Sequence, residues 1–142
     1  MPHGLRRTWL VDMPLSMWPM IQTHDAGTGY LGKAPNPLTN IVWDFARTQI
    51  GGMAQQLACG ARSMDWRPFL TTNGELVFAH GSVIVNYSME AAAEEVMAWA
   101  NAAGTSEDDM VVLEVVDCNG AECDSATTVS YTHLTLPTIL RV

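Results

Sequence analysis

The strongest constraint on this chain lies in its second half. From Met89 to Ala103, Met89, Ala92, Ala93, Val96, Trp99, Ala100 and Ala103 fall at the i, i+3, i+4 spacing of an amphipathic helix. Ser88 stands where such a helix needs an N-cap, and Gly104 stands where it must stop. Directly behind it, Met110 to Val116 (MVVLEVV) is a nearly continuous apolar run. A run of that kind is expected of a strand covered on both faces, as in a parallel sheet flanked by helices. Helix followed by doubly covered strand points to an α/β fold.

The first half fits the same order. Residues 16 to 23 (SMWPMIQT) read as a strand, followed by a Gly-rich loop, HDAGTG. After the proline-punctuated stretch 33–37, Leu38 to Cys59 reads as helical, with Ile41, Phe45, Met53 and Leu57 near one face. Gly51-Gly52 weakens its middle or splits it in two, and Gly60 is a plausible stop. Residues 61–70 and 75–80 read as two strands joined by Thr71-Thr72-Asn73-Gly74, where Asn-Gly is a strong turn signal. Only thirteen positions separate Arg67 from His80, too few for a helical crossover.

Charge and length exclude several functions. The 142 residues carry 7 Lys+Arg against 15 Asp+Glu, a net charge of −8. That length allows one domain or part of one. The negative balance argues against nucleic-acid binding, which needs a basic surface, and against a polybasic lipid anchor. No run approaches the about 18 apolar residues of a membrane span, and the first twenty residues contain no intact signal peptide. Cys59, Cys118 and Cys123 form no C-x-x-C pair, so a zinc site is not expected. Cys118 and Cys123, in DCNGAEC, could close a small disulfide loop or stay free thiols.

The last fourteen residues, VSYTHLTLPTILRV, have no acid and differ in character from all that precede them. Val129 to Thr138 resembles the translation of a transposase adaptor used in preparing sequencing libraries. The expectation is that the natural reading frame passes into adaptor near Thr128, and Tyr131 and His133 are set aside accordingly.

Two histidines remain that each follow an apolar run, His24 after WPMIQT and His80 after LVFA. The carboxyl ends of strands in parallel α/β folds are where ligands bind, although a histidine at a strand end is often structural. Asp65 and Arg67 lie two apart, so both side chains leave one face of a strand and Trp66 leaves the other. They form either a solvent-facing ion pair or a charged pair held for use. Asp25 could orient an imidazole or make an Asx-turn before Ala26-Gly27. Two imidazoles, one guanidinium and two carboxylates suit phosphodiester cleavage: one imidazole takes a proton, the other gives one, and arginine grips the phosphate.

These residues also carry a resemblance. THDAGT at 23–28, ARTQ at 46–49, QQLACGARSMDWRP at 55–68 and GELVFAHGS at 74–82, in order and at family-like spacing, resemble the X domain of phosphatidylinositol-specific phospholipase C. The likeness covers about residues 16–117. It implies the first half of a distorted TIM-type barrel, incomplete here, with residues 1–15 as a lead-in, 16–128 as a partial X domain and 129–142 as the non-native tail.

The resemblance further implies that His24 is the general base and His80 the general acid, supported by Asp25. Arg67 would stabilise the pentacovalent phosphate, and Asp65 would orient Arg67. The reaction would be attack of the inositol 2-hydroxyl, giving diacylglycerol and a cyclic inositol phosphate. Calcium-dependent members place a carboxylate where this chain has Arg67 and lack the Asp after the first histidine. A built-in cation is thus implied, with no metal and no cofactor.

In the bacterial enzymes, the carboxylate that pairs with the base comes from the second half of the barrel, absent here, so the chain is expected to be inactive alone. Glu114 and Asp117 are candidate headgroup contacts or surface acids. Trp9, Met13, Met17 and Trp18 could touch lipid or pack in the core. The partner implied is a phosphatidylinositol-type lipid at a membrane surface, bound peripherally, and the family is often secreted. The alternatives are a metal-dependent glycerophosphodiester or sphingomyelin phosphodiesterase relative, and a non-catalytic module that binds a lipid headgroup.

Overall fold

The computed structural model of the protein describes residues 14, 17–32, 37–102, 110–116 and 118–120. The adaptor-like tail, Trp9, Met13, Asp117 and Cys123 lie outside the described residues. In chain order the elements are β1 (Ile21–Thr23), a 3-10 turn (Ala26–Tyr30), α1 (Pro37–Ala46), α2 (Met53–Ala58), β2 (Ala61–Trp66), β3 (Pro68–Leu70), β4 (Leu76–His80), β5 (Val83–Ser88), α3 (Met89–Ala100), β6 (Val112–Val115) and β7 (Asn119–Gly120).

Two sheets result. One is parallel throughout, in the order β1-β2-β6, with Met64 opposite Leu113 and Asp65 opposite Glu114. The other, β5-β4-β3-β7, is built on the antiparallel pairs β3/β4 and β4/β5. Arg67 is the joint between them. The Trp66 carbonyl accepts from Val116 N–H in the parallel sheet, while the Arg67 carbonyl accepts from Ala79 N–H in the hairpin. The chain therefore changes sheets at Arg67, which leaves this residue at the end of β2 and beside β4.

The Thr71–Gly74 loop closes β3 and β4 as the Asn-Gly signal predicts: Gly74 takes φ +85 and the Thr71 N–H donates to Glu75 O at 2.9 Å. The core gathers Trp66, Met64, Phe78, Val85, Val96 and Leu57, all essentially without solvent contact. Trp66 meets Phe78 edge to face at 5.2 Å, a favourable aromatic geometry. α3 begins as the spacing requires, with Ser88 Oγ accepting from Ala91 N–H, and it buries Met89, Ala92, Ala93, Val96 and Ala100. Behind the 3-10 turn, Tyr30 stacks on Tyr87 at 3.8 Å and accepts from Met53 N–H at the start of α2. Tyr87 donates to Glu95 of α3, and that carboxylate pushes the Tyr87 phenol up to about 12.

Three expectations from the sequence need correction, and one strand is added. Of the two outcomes that Gly51-Gly52 left open for residues 38–59, the split is the one found, with α1 and α2 separated by the loop 47–52. The predicted face divides with it: Met53 and Leu57 are buried, whereas Phe45 is 83% exposed and Ile41 lies in solvent. The strand expected at 16–23 shrinks to Ile21–Thr23, consistent with Pro19, which has no N–H for a ladder. β5 was not anticipated, although its alternation of buried and exposed residues has the period of a half-buried strand. β6 is not covered on both faces. Its apolar residues are half-buried and Glu114 is exposed, since among the described residues β6 is an edge strand paired with β2 alone. Of the cysteines, Cys59 is a free exposed thiol and Cys118 is disulfide-bonded.

Candidate active site

β1 and β2 run parallel, so His24-Asp25 after β1 and Asp65 near the end of β2 emerge at the same sheet edge. His80 arrives differently from the expectation that both histidines end equivalent parallel strands. It closes β4, which runs antiparallel to β3, and the doubling back of this hairpin returns it beside Arg67. Trp66, between Asp65 and Arg67, points into the core, as strand alternation predicts.

Asp25 is the centre of the cluster. Its side chain is 1% exposed, and its backbone is left-handed, φ 47 and ψ 51, a conformation uncommon outside glycine. Arg67 Nε lies 2.6 Å from Asp25 Oδ1, and Arg67 Nη2 lies 3.0 Å from Asp65 Oδ2. Asp25 Oδ2 faces both imidazoles, 3.1 Å from His24 Nε2 and 3.4 Å from His80 Nε2. Neither Asp25 oxygen receives a well-directed hydrogen bond, so its grip on these neighbours is chiefly ionic. One guanidinium thus faces two buried carboxylates, which leaves a unit of negative charge toward which both imidazoles point.

His24 Nδ1 pairs with Asp65 Oδ2 at 3.1 Å, and Nε2 of this 62% exposed ring makes no directed hydrogen bond to Asp25. His80 Nδ1 lies 2.8 Å from the Ala46 carbonyl, which can only accept, so Nδ1 carries the proton and Nε2 is the exchangeable nitrogen. Burial works to raise the Asp65 pKa. The Arg67 hydrogen bonds, the Asp25 backbone N–H and the charges of Arg67 and His24 outweigh it and hold the carboxyl below the usual carboxylate range.

All five residues singled out from the sequence, His24, Asp25, Asp65, Arg67 and His80, therefore meet. Glu114 does not join them: it is exposed and accepts from Gln22 Nε2 at 2.8 Å. Met17 is exposed, and Trp18 is half-buried. Sequence reasoning assigned no role to Thr28, Ala46, Thr48, Gln49 or Gln56, which hold the loop that carries the cluster. Their only signal was membership of the quoted motifs, since a threonine or glutamine that binds backbone leaves no chemical pattern in a sequence. His24, Asp25 and Asp65 also offer ligand atoms within 4.8 Å of one another, a spacing compatible with a metal ion. Arg67 already places a cation against both carboxylates.

A parallel sheet, β1-β2-β6, continued by an antiparallel hairpin is an arrangement also found in solved structures. The chain has this fold in common with the phosphatidylinositol-specific phospholipase C of Staphylococcus aureus. One structure of that protein, from a study of its membrane binding, matches with a TM-score of 0.63 at 15% identity over 80% of this chain. A variant of the same protein matches with a TM-score of 0.64 at 16% identity over 82% of this chain. The chain spans 36% and 38% of the length of those two chains, consistent with a partial barrel. No family model matches the sequence, and no curated protein matches it either.

Proposed function

We propose that this chain is the catalytic first half of a phosphodiesterase of the phosphatidylinositol phospholipase C type, acting without metal. The observation that carries the reading is the convergence of both imidazole Nε2 atoms and Arg67 on buried Asp25. His24, the more exposed ring, takes the proton of the inositol 2-hydroxyl as that oxygen attacks phosphorus. His80, its Nδ1 held by the Ala46 carbonyl and its Nε2 backed by Asp25, donates a proton to the departing diacylglycerol oxygen. Arg67 meets the phosphate oxygens with a fork whose plane is set by Asp65. The products are diacylglycerol and a cyclic inositol phosphate.

Contact with the membrane is peripheral. No helix among the described residues is long and apolar enough to cross a bilayer. Ile41, Val42 and Phe45 of α1 and Ile50 are nevertheless exposed, Phe45 preceding the Ala46 that holds His80 and Ile50 following the Gln49 that holds the His24 carbonyl. A lipid headgroup drawn from a bilayer reaches His24 past this apolar rim. Because the chain is acidic, the rim attracts lipid through burial of apolar surface and not through charge.

The test is cleavage of phosphatidylinositol in the presence of a chelator, by this chain and by the protein completed with the remainder of the barrel, alongside His24→Ala and His80→Ala. Cyclic inositol phosphate released without metal and abolished by either substitution is the expected result. The spacing of His24, Asp25 and Asp65 sustains a metal-dependent reading as the competitor. Activity only with added calcium or magnesium would establish that reading instead. Headgroup binding without turnover in the completed protein would make the domain a binding module.

A further inference from the structure

The loop that bears the cluster is gripped in an unusual way. Three consecutive carbonyls, those of His24, Asp25 and Ala26, each accept from a side chain, the first and third from residues beyond the loop. Thr48 Oγ1 and Gln49 Nε2, just past α1, donate to His24 O at 2.8 and 3.0 Å. Thr28 Oγ1, in the 3-10 turn, donates to Asp25 O at 2.8 Å. Gln56 Nε2, in α2, donates to Ala26 O at 2.9 Å. The backbone N–H groups of Thr48 and Gln49 in turn donate to Thr28 Oγ1, at 3.1 and 3.2 Å, so the hydroxyls and the loop form one network. The same short segment supplies the Ala46 carbonyl to His80.

In the middle of this grip sits the one described non-glycine residue with positive φ, Asp25. A left-handed aspartate persists where its surroundings over-determine it, and the carbonyls of His24 and Ala26 held from outside the loop, with that of Asp25 held by Thr28 within it, do that. The conformation has a chemical consequence. It turns the Asp25 carboxylate under Arg67 and both imidazoles, whereas an unheld loop would relax toward the ordinary helical or extended regions and swing the carboxylate away.

We propose that Thr48 is a positioning residue, with Gln49, Thr28 and Gln56 assisting: it holds Asp25 in its left-handed conformation and so sets the distance between Asp25, Arg67 and the two histidines. The proposal deepens the reading of this cluster as an acid/base site and rests on it for its functional meaning. The geometric claim has its own test.

The experiment uses the full chain labelled with 15N and follows the exchange rate of the Arg67 Nε proton and the imidazole nitrogen signals of His24 and His80. Thr48→Val removes the hydroxyl at nearly constant volume. It is expected to speed Arg67 Nε–H exchange about tenfold, the scale of one lost hydrogen bond, and to move both imidazole signals while backbone amide signals of α3 stay in place. Thr48→Ser, which keeps the hydroxyl, is expected to restore the parent values. Unchanged exchange and ring signals in Thr48→Val, or no restoration by Thr48→Ser, would overturn the proposal.

Should Thr48→Val fail to fold, Gln49→Met removes one of the two donors to His24 O. It is expected to give a smaller acceleration in the same direction, and the absence of any would again overturn the proposal. Phosphatidylinositol cleavage is assayed in parallel on the completed protein. No cleavage by the parent with the Thr48 effect present removes the functional reading and keeps the positioning role; cleavage with no Thr48 effect does the reverse.

Discussion

α1 and α3 carry similar apolar content but end in opposite circumstances. α3 turns Met89, Ala92, Ala93 and Val96 into the core against the hairpin, whereas α1 leaves Ile41, Val42 and Phe45 in water. What separates them is what lies beside them. α3 is capped by Ser88 directly off β5 and packs back on that strand and on α2. α1 is tied in at its far end, where Ala46 is buried, Arg47 donates to the carbonyls of Leu31 and Gly32, and the residues just beyond hold the active-site loop. An apolar stripe on a helix is therefore a demand for cover, and among the described residues that demand is met for α3 and not for α1. The lipid contact proposed above rests on α1.

The sharpest way to break this comparison is a charge on each helix. Val96→Asp puts an unpaired carboxylate in the core and is expected to cost on the order of 5 kcal/mol, seen as loss of cooperative unfolding by circular dichroism. On the other side, Phe45→Ser combined with Ile50→Ser is expected to weaken binding to phosphatidylinositol vesicles by more than about tenfold, since each buried apolar side chain contributes roughly 2 kcal/mol. Sedimentation with vesicles reads this directly. Binding that is unchanged, or that weakens on adding salt, would show that the rim is not what holds the lipid.

Smaller effects sharpen the contrast. Ser88→Ala removes the α3 cap and is expected to cost about 1 kcal/mol in urea unfolding. Acid should act on the site side first. Asp65 has a folded pKa below its unfolded value, so its contribution is fully present above the unfolded pKa and is lost as pH falls through the depressed folded one. Hydrogen exchange is expected to show the Asp25 and Arg67 amides losing protection below about pH 4 while those of α3 hold, and Asp65→Asn should remove that dependence. Smallest of all, Phe45→Ser alone is expected to change folding stability by less than about 0.5 kcal/mol, because its side chain already sits in water.

Much of this was legible beforehand, for reasons that can be named. α3 could be read because cap and spacing agree, although it ends at Ala100 and the expected stop at Gly104 lies outside the described residues, and the β3/β4 hairpin because Asn73-Gly74 favours one turn. Asp65, Trp66 and Arg67 could be assigned to faces because strand geometry alternates. The failures share one cause. The helical face proposed for residues 38–59 assumed a continuous axis, and a break at Gly51-Gly52 resets the phase of the second helix. β6 looked doubly covered because apolar content reports what a strand could bury, not what lies beside it.

The sequence by itself determined the local elements and the residue types of the site, since propensity, capping and turn chemistry act over a few neighbours. It also placed Asp65 and Arg67 on one face. Only the tertiary structure decided that Asp25 would be left-handed, that both imidazoles would share its Oδ2, and that a carbonyl at Ala46 would choose the protonated nitrogen of His80. Those facts depend in large part on contacts between residues far apart in the chain, His24 with Thr48, Ala46 with His80 and Asp25 with His80, where directional hydrogen bonds and charge are set by packing that no local rule encodes.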